Sequence, residues 1–191
     1  MASWSAEHAT IAYLQTLNMG KRGKEPNVAE FIAALAAGNN AKLIVMICAG
    51  NAGSRALALG AAAQETGGRT VCILAGLEEL HASRKALGCH ADFIELVVRN
   101  AQSLDEYHGA DFVLVDSKLE EYKAVLLTAQ TCLKKAFLVG YNAIHGEPWN
   151  IDSLKAHFLP KDDKLCGFEK KERWVVKFDK ITGEEHVYRT T

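Results

Sequence analysis

The sequence lacks the features that mark several large classes of protein. No apolar run approaches the ~20 residues that cross a bilayer, and the first residues contain no basic segment followed by an apolar core, so we expect no secretory signal. The formal net charge is −1, which gives no electrostatic reason to expect nucleic acid or a membrane as a partner. We therefore expect a cytoplasmic protein with a small-molecule ligand, in an oligomeric state that the sequence leaves open.

Closely spaced cysteine pairs are also missing. The five cysteines are odd in number and widely spread, and no two of them form a C-x-x-C pair. A zinc site or a disulfide framework requires closer spacing. We therefore predict reduced thiols, with Cys48 and Cys72 as small core residues.

Three sequence motifs for nucleotide binding and hydrolysis are absent. The chain contains neither the G-x-G-x-x-G of dinucleotide-binding proteins nor the G-x-x-x-x-G-K-[ST] of a P-loop. It also has no G-x-S-x-G nucleophile turn. These absences disfavour an NAD-linked oxidoreductase and give no support to a hydrolase.

What is present is a regular alternation of apolar runs and amphipathic segments between residues 41 and 144. The runs predict strands, and the intervening segments predict helices. The predicted strands are 41–48, 69–74, 92–98, 111–116 and 136–141, and the predicted helices include 54–66, 77–87 and 118–130. A continuous run such as AKLIVMIC is typical of a strand buried on both faces, so Val45 and Ile47 should lie in the core. This alternation predicts right-handed crossovers and a parallel sheet covered by helices.

Two further segments flank the alternation. Residues 1–38 predict helices, because EPNVAEFIAALAAG repeats apolar residues at helical spacing and Gly38 can supply a left-handed stop. Residues 151–191 predict a helix at 151–158, followed by an antiparallel hairpin. We predict one domain over 1–191, an α/β protein with a three-layer α/β/α Rossmann-like fold. Its mostly parallel, seven-stranded sheet would include the hairpin.

The turn after the first predicted strand is the main candidate binding site. In doubly wound sheets, ligands bind beyond the carboxyl ends of the strands, where the strand order switches. Gly50 and Gly53 lie at that end and would let a ligand approach the backbone, Asn51 lies between them, and Ser54 could cap the next helix. Because G-x-x-G is a weak signal, a tight turn with no ligand is an equally good interpretation.

The ends of the other strands supply few acids. A ribose is commonly held by an acid at the end of the second strand, but Leu74 stands there, and Glu78 and Glu79 follow in the first turn of a predicted helix. Asp116 ends the fourth strand, where it could hold a metal or an amine, act as a base, or cap helix 118–130. Asn142 follows the fifth strand and should reach the same rim, as should His145.

Two family resemblances bear on these residues. The stretch from WSAEHATIAYL through EPNVAEFIAALAAG to DFVLVDSK resembles the plant family catalogued as domain of unknown function 1442, whose fold is described as similar to S-adenosylmethionine methyltransferases. The segments NNAKLIVMICAGNAGS, ADFVLVDSKLEEYKAVL and AFLVGYNAIHGEPW are similar to metal-dependent catechol-type and caffeoyl-CoA-type O-methyltransferases. The resemblance implies a methyltransferase-like fold that binds S-adenosylmethionine.

Carried over residue by residue, the second resemblance implies an incomplete site. Asp116 falls on the metal-ligating Asp, while Asn142 and Ala143 fall on the other two ligands. Met46 and Leu74 fall where two cofactor acids are expected. One Asp and one Asn supply little charge for Mg²⁺, so we expect no divalent-metal site and weak binding of S-adenosylmethionine.

These observations leave two functional hypotheses. The first is an S-adenosylmethionine-dependent methyltransferase-like protein of unknown substrate, with a cofactor site at Gly50, Asn51, Gly53, Ser54 and Asp116. The second is a non-catalytic binding or scaffold module on the same fold. The missing acids favour the second hypothesis, and the glycine turn with Asp116 favours the first.

Overall fold

The computed structural model describes residues 4–19, 28–99, 104–133, 136–143, 156–160, 173–178 and 185–190. Its α-helices are α1 (Ala6–Met19), α2 (Val28–Gly38), α3 (Ser54–Thr66), α4 (Leu77–Leu87) and α5 (Tyr122–Cys132). Its strands are β1 (Leu43–Ile47), β2 (Arg69–Leu74), β3 (Ile94–Val98), β4 (Phe112–Asp116), β5 (Phe137–Ala143), β6 (Ala156–Pro160), β7 (Arg173–Phe178) and β8 (Glu185–Thr190). Short 3₁₀ helices span Gly88–Phe93 and Leu104–Tyr107.

Strands β1 to β6 form one parallel sheet in the order β3-β2-β1-β4-β5-β6. The chain runs outward from β1 to β3 and then returns to place β4 on the other side of β1. The strand order therefore switches between β1 and β4, which is where ligands bind in sheets of this kind. The predicted Rossmann-like α/β architecture is confirmed, and the predicted turn of residues 50–54 follows β1 at the switch point.

Apolar side chains of β1 pack on both faces of the sheet. Ile44 and Met46 belong to a buried cluster that also holds the apolar faces of α2 and α3. Val45 and Ile47 belong to a second cluster that includes residues of α5. Val45 is 0% exposed and Ile47 is 1% exposed, which confirms the prediction of a strand buried between two layers. The thiols of Cys48 and Cys72 are free and buried, as predicted.

Polar side chains fix the amino ends of the central strands. The Asp111 carboxylate accepts hydrogen bonds from the backbone N–H groups of Lys42 (2.7 Å) and Leu43 (3.1 Å), which joins the starts of β4 and β1. The Thr66 hydroxyl donates to the Ala41 carbonyl at 2.6 Å. Gly67, with φ of 66°, ends α3 in the left-handed conformation. These contacts set where β1 begins beside β4 and α3.

The C-terminal part differs from the prediction. Residues 156–158 were expected in a helix over 151–158, but they begin strand β6, which pairs with β5 from Leu138↔Ala156 onward. Pairing with the sheet edge outweighs a weak local helix preference. Strands β7 and β8 pair antiparallel with each other in a separate two-stranded sheet, so the main sheet has six described strands instead of the expected seven. Residues 151–155 and the turn at 179–183 lie outside the described residues.

Several element ends also differ from the prediction. Gly38 is not left-handed. The left-handed residue is Asn40, with φ of 53°, a conformation that Asn tolerates. A Cβ at Gly38 would lie 2.3 Å from the Trp4 ring, so close packing explains this glycine. Strand β3 starts at Ile94 instead of 92, because the 3₁₀ helix extends to Phe93. Within the described part of the chain, no helix is long and apolar enough to span a membrane.

Candidate functional site

The structure brings the five predicted site residues to one cavity at the switch point. This cavity, the polar cavity, has a volume of about 480 Å³. Its walls include the predicted residues Gly50, Asn51, Gly53, Ser54 and Asp116, together with Met46, Ala49, Arg55, Lys118, Tyr141 and Asn142. The elements that meet here are the carboxyl ends of β1, β4 and β5 and the start of α3. That these residues bind a cofactor stays a prediction.

The glycines of the turn face open space. A Cβ built at Gly50 or at Gly53 would meet no atom within 4 Å, and neither residue has the left-handed φ that favours glycine. Packing within the chain therefore requires a glycine at neither position. Two residues without side chains keep the turn's backbone accessible from the cavity, so they form a cradle that a side chain would fill.

The start of α3 differs from the prediction for Ser54. Gly53 occupies the N-cap position, Ser54 is the first helical residue, and no side chain caps the helix. The first N–H groups of a helix have no intrahelical partner, and here they lie at the cavity wall. Such a helix start favours a negatively charged ligand group.

A serine that sequence reasoning missed holds the turn in place. Ser83 of α4 is 0% exposed, and its hydroxyl accepts a hydrogen bond from the Ala52 N–H at 2.7 Å. The same hydroxyl donates to the Glu79 carbonyl at 2.6 Å. Ser83 therefore links the turn to α4 through these two hydrogen bonds. A single serine within a helical segment gives no sequence signal for this role.

Asp116 is buried and oriented by its neighbours. It is 6% exposed, and its Oδ1 accepts hydrogen bonds from the Asn142 side-chain amide at 2.8 Å and from the Lys118 N–H at 3.0 Å. The second contact closes an Asx-turn, and α5 then begins only at Tyr122, with Glu121 as its N-cap. The alternative role of Asp116 as the cap of helix 118–130 is therefore wrong.

Asn142 meets Asp116 from a rare backbone conformation. Its φ is 60°, and it is 8% exposed. Asn adopts this left-handed region more readily than most residues. The expected approach of Asp116 and Asn142 is therefore present, with the two groups joined as donor and acceptor. His145 lies outside the described residues.

Tyr141 and Arg55 also line the polar cavity and contact each other. The Arg55 guanidinium lies 4.7 Å from the centroid of the Tyr141 ring, a cation–π contact. Burial is the main cause that raises the pKa of Tyr141 far above its ordinary value, and the nearby Cys48 and Asp116 raise it further. The phenol is therefore a neutral hydroxyl at physiological pH, and it does not serve as a base.

The charges around the polar cavity have both signs. Arg55 and Lys118 are cationic, and Asp116 is the carboxylate among the wall residues. With the open start of α3, the cavity offers separate places for an anionic and a cationic group. This arrangement suits a zwitterion better than a ligand of one charge.

A second cavity lies at the carboxyl ends of β1 and β2. This cavity, the apolar cavity, has a volume of about 490 Å³. Its walls are Ile47, Cys48, Ile73, Leu74, Ala75, Arg99, Leu119, Glu120, Glu121 and Val125. Most of these side chains are apolar, and the charged ones come from two loops. A hydrogen bond with Cys48 and burial raise the pKa of the Cys72 thiol, which keeps that thiol protonated.

The expected acid position of β2 contributes no acceptor. Leu74 is 0% exposed and belongs to the core cluster on the α3 face. Glu78 and Glu79 line neither the polar nor the apolar cavity. Within the described residues, no group of three or more His, Cys, Asp or Glu side chains could hold a metal ion.

Solved structures similar to this one include methyltransferases. The SAH-bound methyltransferase of Podospora anserina is 16% identical, with a TM-score of 0.47 over 70% of this chain and 59% of that one. The O-methyltransferase of Bacillus cereus in complex with SAH is 17% identical, with a TM-score of 0.45 over 70% of this chain and 63% of that one. This chain thus spans about three fifths of the length of these neighbours. At this level of identity, no ligand or activity is transferred from them.

The match to a family model covers more of this chain than the solved structures do. No curated protein matches the sequence. The family model described as "Protein of unknown function (DUF1442)" matches residues 1–164, which is most of the chain. The sequence resemblance to domain of unknown function 1442 is thereby confirmed, and this chain belongs to the DUF1442 family.

Proposed function

We propose that this protein binds S-adenosylmethionine across the polar and apolar cavities and is a methyltransferase-like protein of unknown substrate. The observation that carries the proposal is the glycine cradle. Gly50 and Gly53 face open space at the switch point, and packing within the chain requires a glycine at neither position. A ligand that approaches the backbone closely accounts for both glycines.

The polar cavity suits the amino-acid end of this cofactor. Its α-carboxylate would be held by the uncapped start of α3 and by the charge of Arg55. Its α-ammonium group would be held by Asp116, whose carboxylate is already oriented by Asn142 and the Lys118 N–H. The cation–π contact with Tyr141 fixes the guanidinium of Arg55 at the wall.

The apolar cavity suits the adenosine end. Ile47, Ile73 and Val125 offer an apolar surface of the kind that a flat purine ring requires. Both cavities border the carboxyl end of β1, since Met46 lines one and Ile47 lines the other. A ligand with a zwitterionic head and an apolar ring system therefore matches the two cavities together.

When bound, S-adenosylmethionine supplies an electrophilic methyl group on a sulfonium ion. The residues of this chain orient the ligand through the turn, Asp116 and Arg55. Ser83 holds the turn through its hydrogen bond to the Ala52 N–H. Tyr141 stays protonated because burial raises its pKa, so it can act only through its neutral hydroxyl. The methyl acceptor is left unassigned.

The alternative is a non-catalytic binding module, and a specific observation favours it. Asp116 is hydrogen-bonded to Asn142 where a metal-dependent enzyme would need a second acid. Transfer of a labelled methyl group to any acceptor in a metabolite extract would exclude this alternative. Ligand binding without transfer, with and without Mg²⁺, would favour it.

Calorimetry with S-adenosylmethionine and S-adenosylhomocysteine (SAH) tests the proposal. We expect saturable binding of both by the wild type, and loss of binding by Gly53→Val, because the valine side chain enters the cradle. The matched control is Gly109→Val. Gly109 precedes β4 at the opposite end of the sheet, and an added Cβ there would come no closer than 4.0 Å to Leu43.

Gly109→Val should bind both ligands like the wild type, and both variants should remain folded by circular dichroism. The proposal is overturned if the wild type binds neither ligand. It is also overturned if Gly53→Val binds as tightly as Gly109→Val.

A further inference from the structure

We infer that Glu120, in the loop between β4 and α5, accepts the ribose hydroxyls of the nucleoside that occupies the apolar cavity. The inference rests on the proposed function and names the residue that replaces the absent acid of β2. The sequence suggested weak cofactor binding because Leu74 offers no acceptor. The structure places a carboxylate, that of Glu120, in the wall of the cavity that Leu74 also lines.

The end of β2 is occupied by contacts within the chain. The Ile73 carbonyl accepts a hydrogen bond from the Cys48 N–H at 3.1 Å, and the Leu74 carbonyl accepts one from the Arg99 N–H at 3.1 Å. The Leu74 side chain is buried in the core. A vicinal diol placed against this strand end would bury hydroxyls beside apolar atoms and engaged carbonyls. Unpaired buried hydroxyls are costly, so an acceptor must come from another wall.

Glu120 supplies that acceptor. It lines the same cavity as Leu74, and it follows Leu119, whose side chain packs partly against the core cluster of the α5 face. No hydrogen bond or ion pair joins the Glu120 side chain to another residue in the described part of the chain. A carboxylate can accept hydrogen bonds from two neighbouring hydroxyls at once. This is the chemistry that a ribose requires.

The other acids near β2 fit less well. Glu78 is exposed at the start of α4 and lines neither cavity. The Glu79 carboxylate lies over Gly76, with its Oε2 at 2.8 Å from the position of an added Cβ. Glu121 lines the apolar cavity but is the N-cap of α5 and has an interaction of its own. Glu120 is therefore the acid that the geometry favours.

The test compares Glu120→Gln with the matched control Glu78→Gln, which makes the same change of charge outside the cavity. Two probes are titrated by calorimetry, SAH and its analogue with 2′,3′-dideoxyribose. We expect Glu120→Gln to bind SAH roughly ten- to a hundredfold more weakly than the wild type, as for loss of hydrogen bonds to a charged group. Its affinity for the dideoxy analogue should equal that of the wild type, and Glu78→Gln should match the wild type with both probes.

The remaining outcomes separate this inference from the proposed function. If the wild type binds SAH and Glu120→Gln binds it equally well, the role of Glu120 is wrong and the proposed function stands. Equal weakening of both probes by Glu120→Gln would show a general effect of charge and would also overturn the inference. If the wild type binds neither probe, both proposals fail. The wild type alone provides one more test, because it should bind SAH more tightly than the dideoxy analogue. Equal affinity of the wild type for the two probes would contradict the inference.

Discussion

The backbone contact between Gly68 and Lys42 gives the sharpest prediction about stability. A Cβ at Gly68 would lie 2.5 Å from the Lys42 carbonyl oxygen and 2.8 Å from the Lys42 Cα. Both distances are well inside the ~3.5 Å at which carbon contacts become favourable, and both partners are backbone atoms that cannot rotate away. Arg69 donates to that same carbonyl at 2.8 Å, just before β2 pairs with β1. Gly68→Ala must therefore shift the chain where two central strands begin.

Forced insertion of a methyl group into a packed site costs about 1–3 kcal/mol. For a chain of this size, each kcal/mol lowers Tm by roughly 2–4 °C, so we expect Gly68→Ala to lower it by roughly 2–12 °C. Urea denaturation should show a lower midpoint with an unchanged slope. The matched control is Gly50→Ala, where the added Cβ meets nothing within 4 Å. The free energy of unfolding of Gly50→Ala should be at least that of the wild type, and up to about 0.4–1 kcal/mol higher, because alanine makes the unfolded chain less flexible. If the two variants proved equally stable, the structural reasoning would be refuted.

Two further predictions concern the core and the pH dependence of stability. Ile47→Ala removes a side chain that is 1% exposed and should lower the free energy of unfolding by roughly 2–5 kcal/mol. An unchanged denaturation midpoint would contradict the burial of β1. Burial raises the pKa of Tyr141, so its contribution to stability is constant below the unfolded pKa of ~10. Above that pH it is lost at about 1.4 kcal/mol per pH unit, because only the unfolded chain ionises. Tyr141→Phe should flatten the decline in stability measured between pH 9 and pH 11, and an equal slope in both proteins would argue against the burial of this phenol.

Much of the fold could be predicted because its signals are local. Apolar runs as long as AKLIVMIC require burial on both faces, and alternation with helices leaves few topologies. The C-terminal region was predicted less well because its structure depends on pairing. Whether 156–160 forms a helix or a strand depends on the free edge of β5, which no local pattern reveals.

The candidate site could be predicted only where the residue type and its place after a strand were both informative. Glycines after β1 and an acid after β4 met those conditions, and the structure brings Gly50, Gly53 and Asp116 together. Ser83 and Glu120 did not meet those conditions. Ser83 lies within a helix and Glu120 lies in a loop, and only the folded structure brings them to the cavities or the turn. The capping role predicted for Ser54 is wrong, because the start of α3 depends on the geometry of the turn.

The contact between Asn142 and Asp116 leads to a final prediction about metal binding. The Asn142 amide donates to Asp116 Oδ1 at 2.8 Å, so Asn142→Asp would place two carboxylates in contact. Asp tolerates the φ of 60° at this position, so the backbone should persist. Two like charges at this distance repel each other, which should destabilise the variant in EDTA by about 1–3 kcal/mol, counting the lost hydrogen bond.

Divalent cations should reverse that loss, because Mg²⁺ and Ca²⁺ prefer carboxylate oxygens and bind only the folded pair. Thermal unfolding in EDTA, Mg²⁺ and Ca²⁺ measures the effect. The wild type should show the same Tm in all three. The control Asn142→Gly keeps the left-handed backbone without adding a charge, and its Tm should also be independent of the metal. If the Tm of Asn142→Asp were also the same in EDTA, Mg²⁺ and Ca²⁺, a second acid at position 142 would not be sufficient to create a metal site here. A Tm of the wild type that falls in EDTA would show that Asp116 already holds a cation with other ligands.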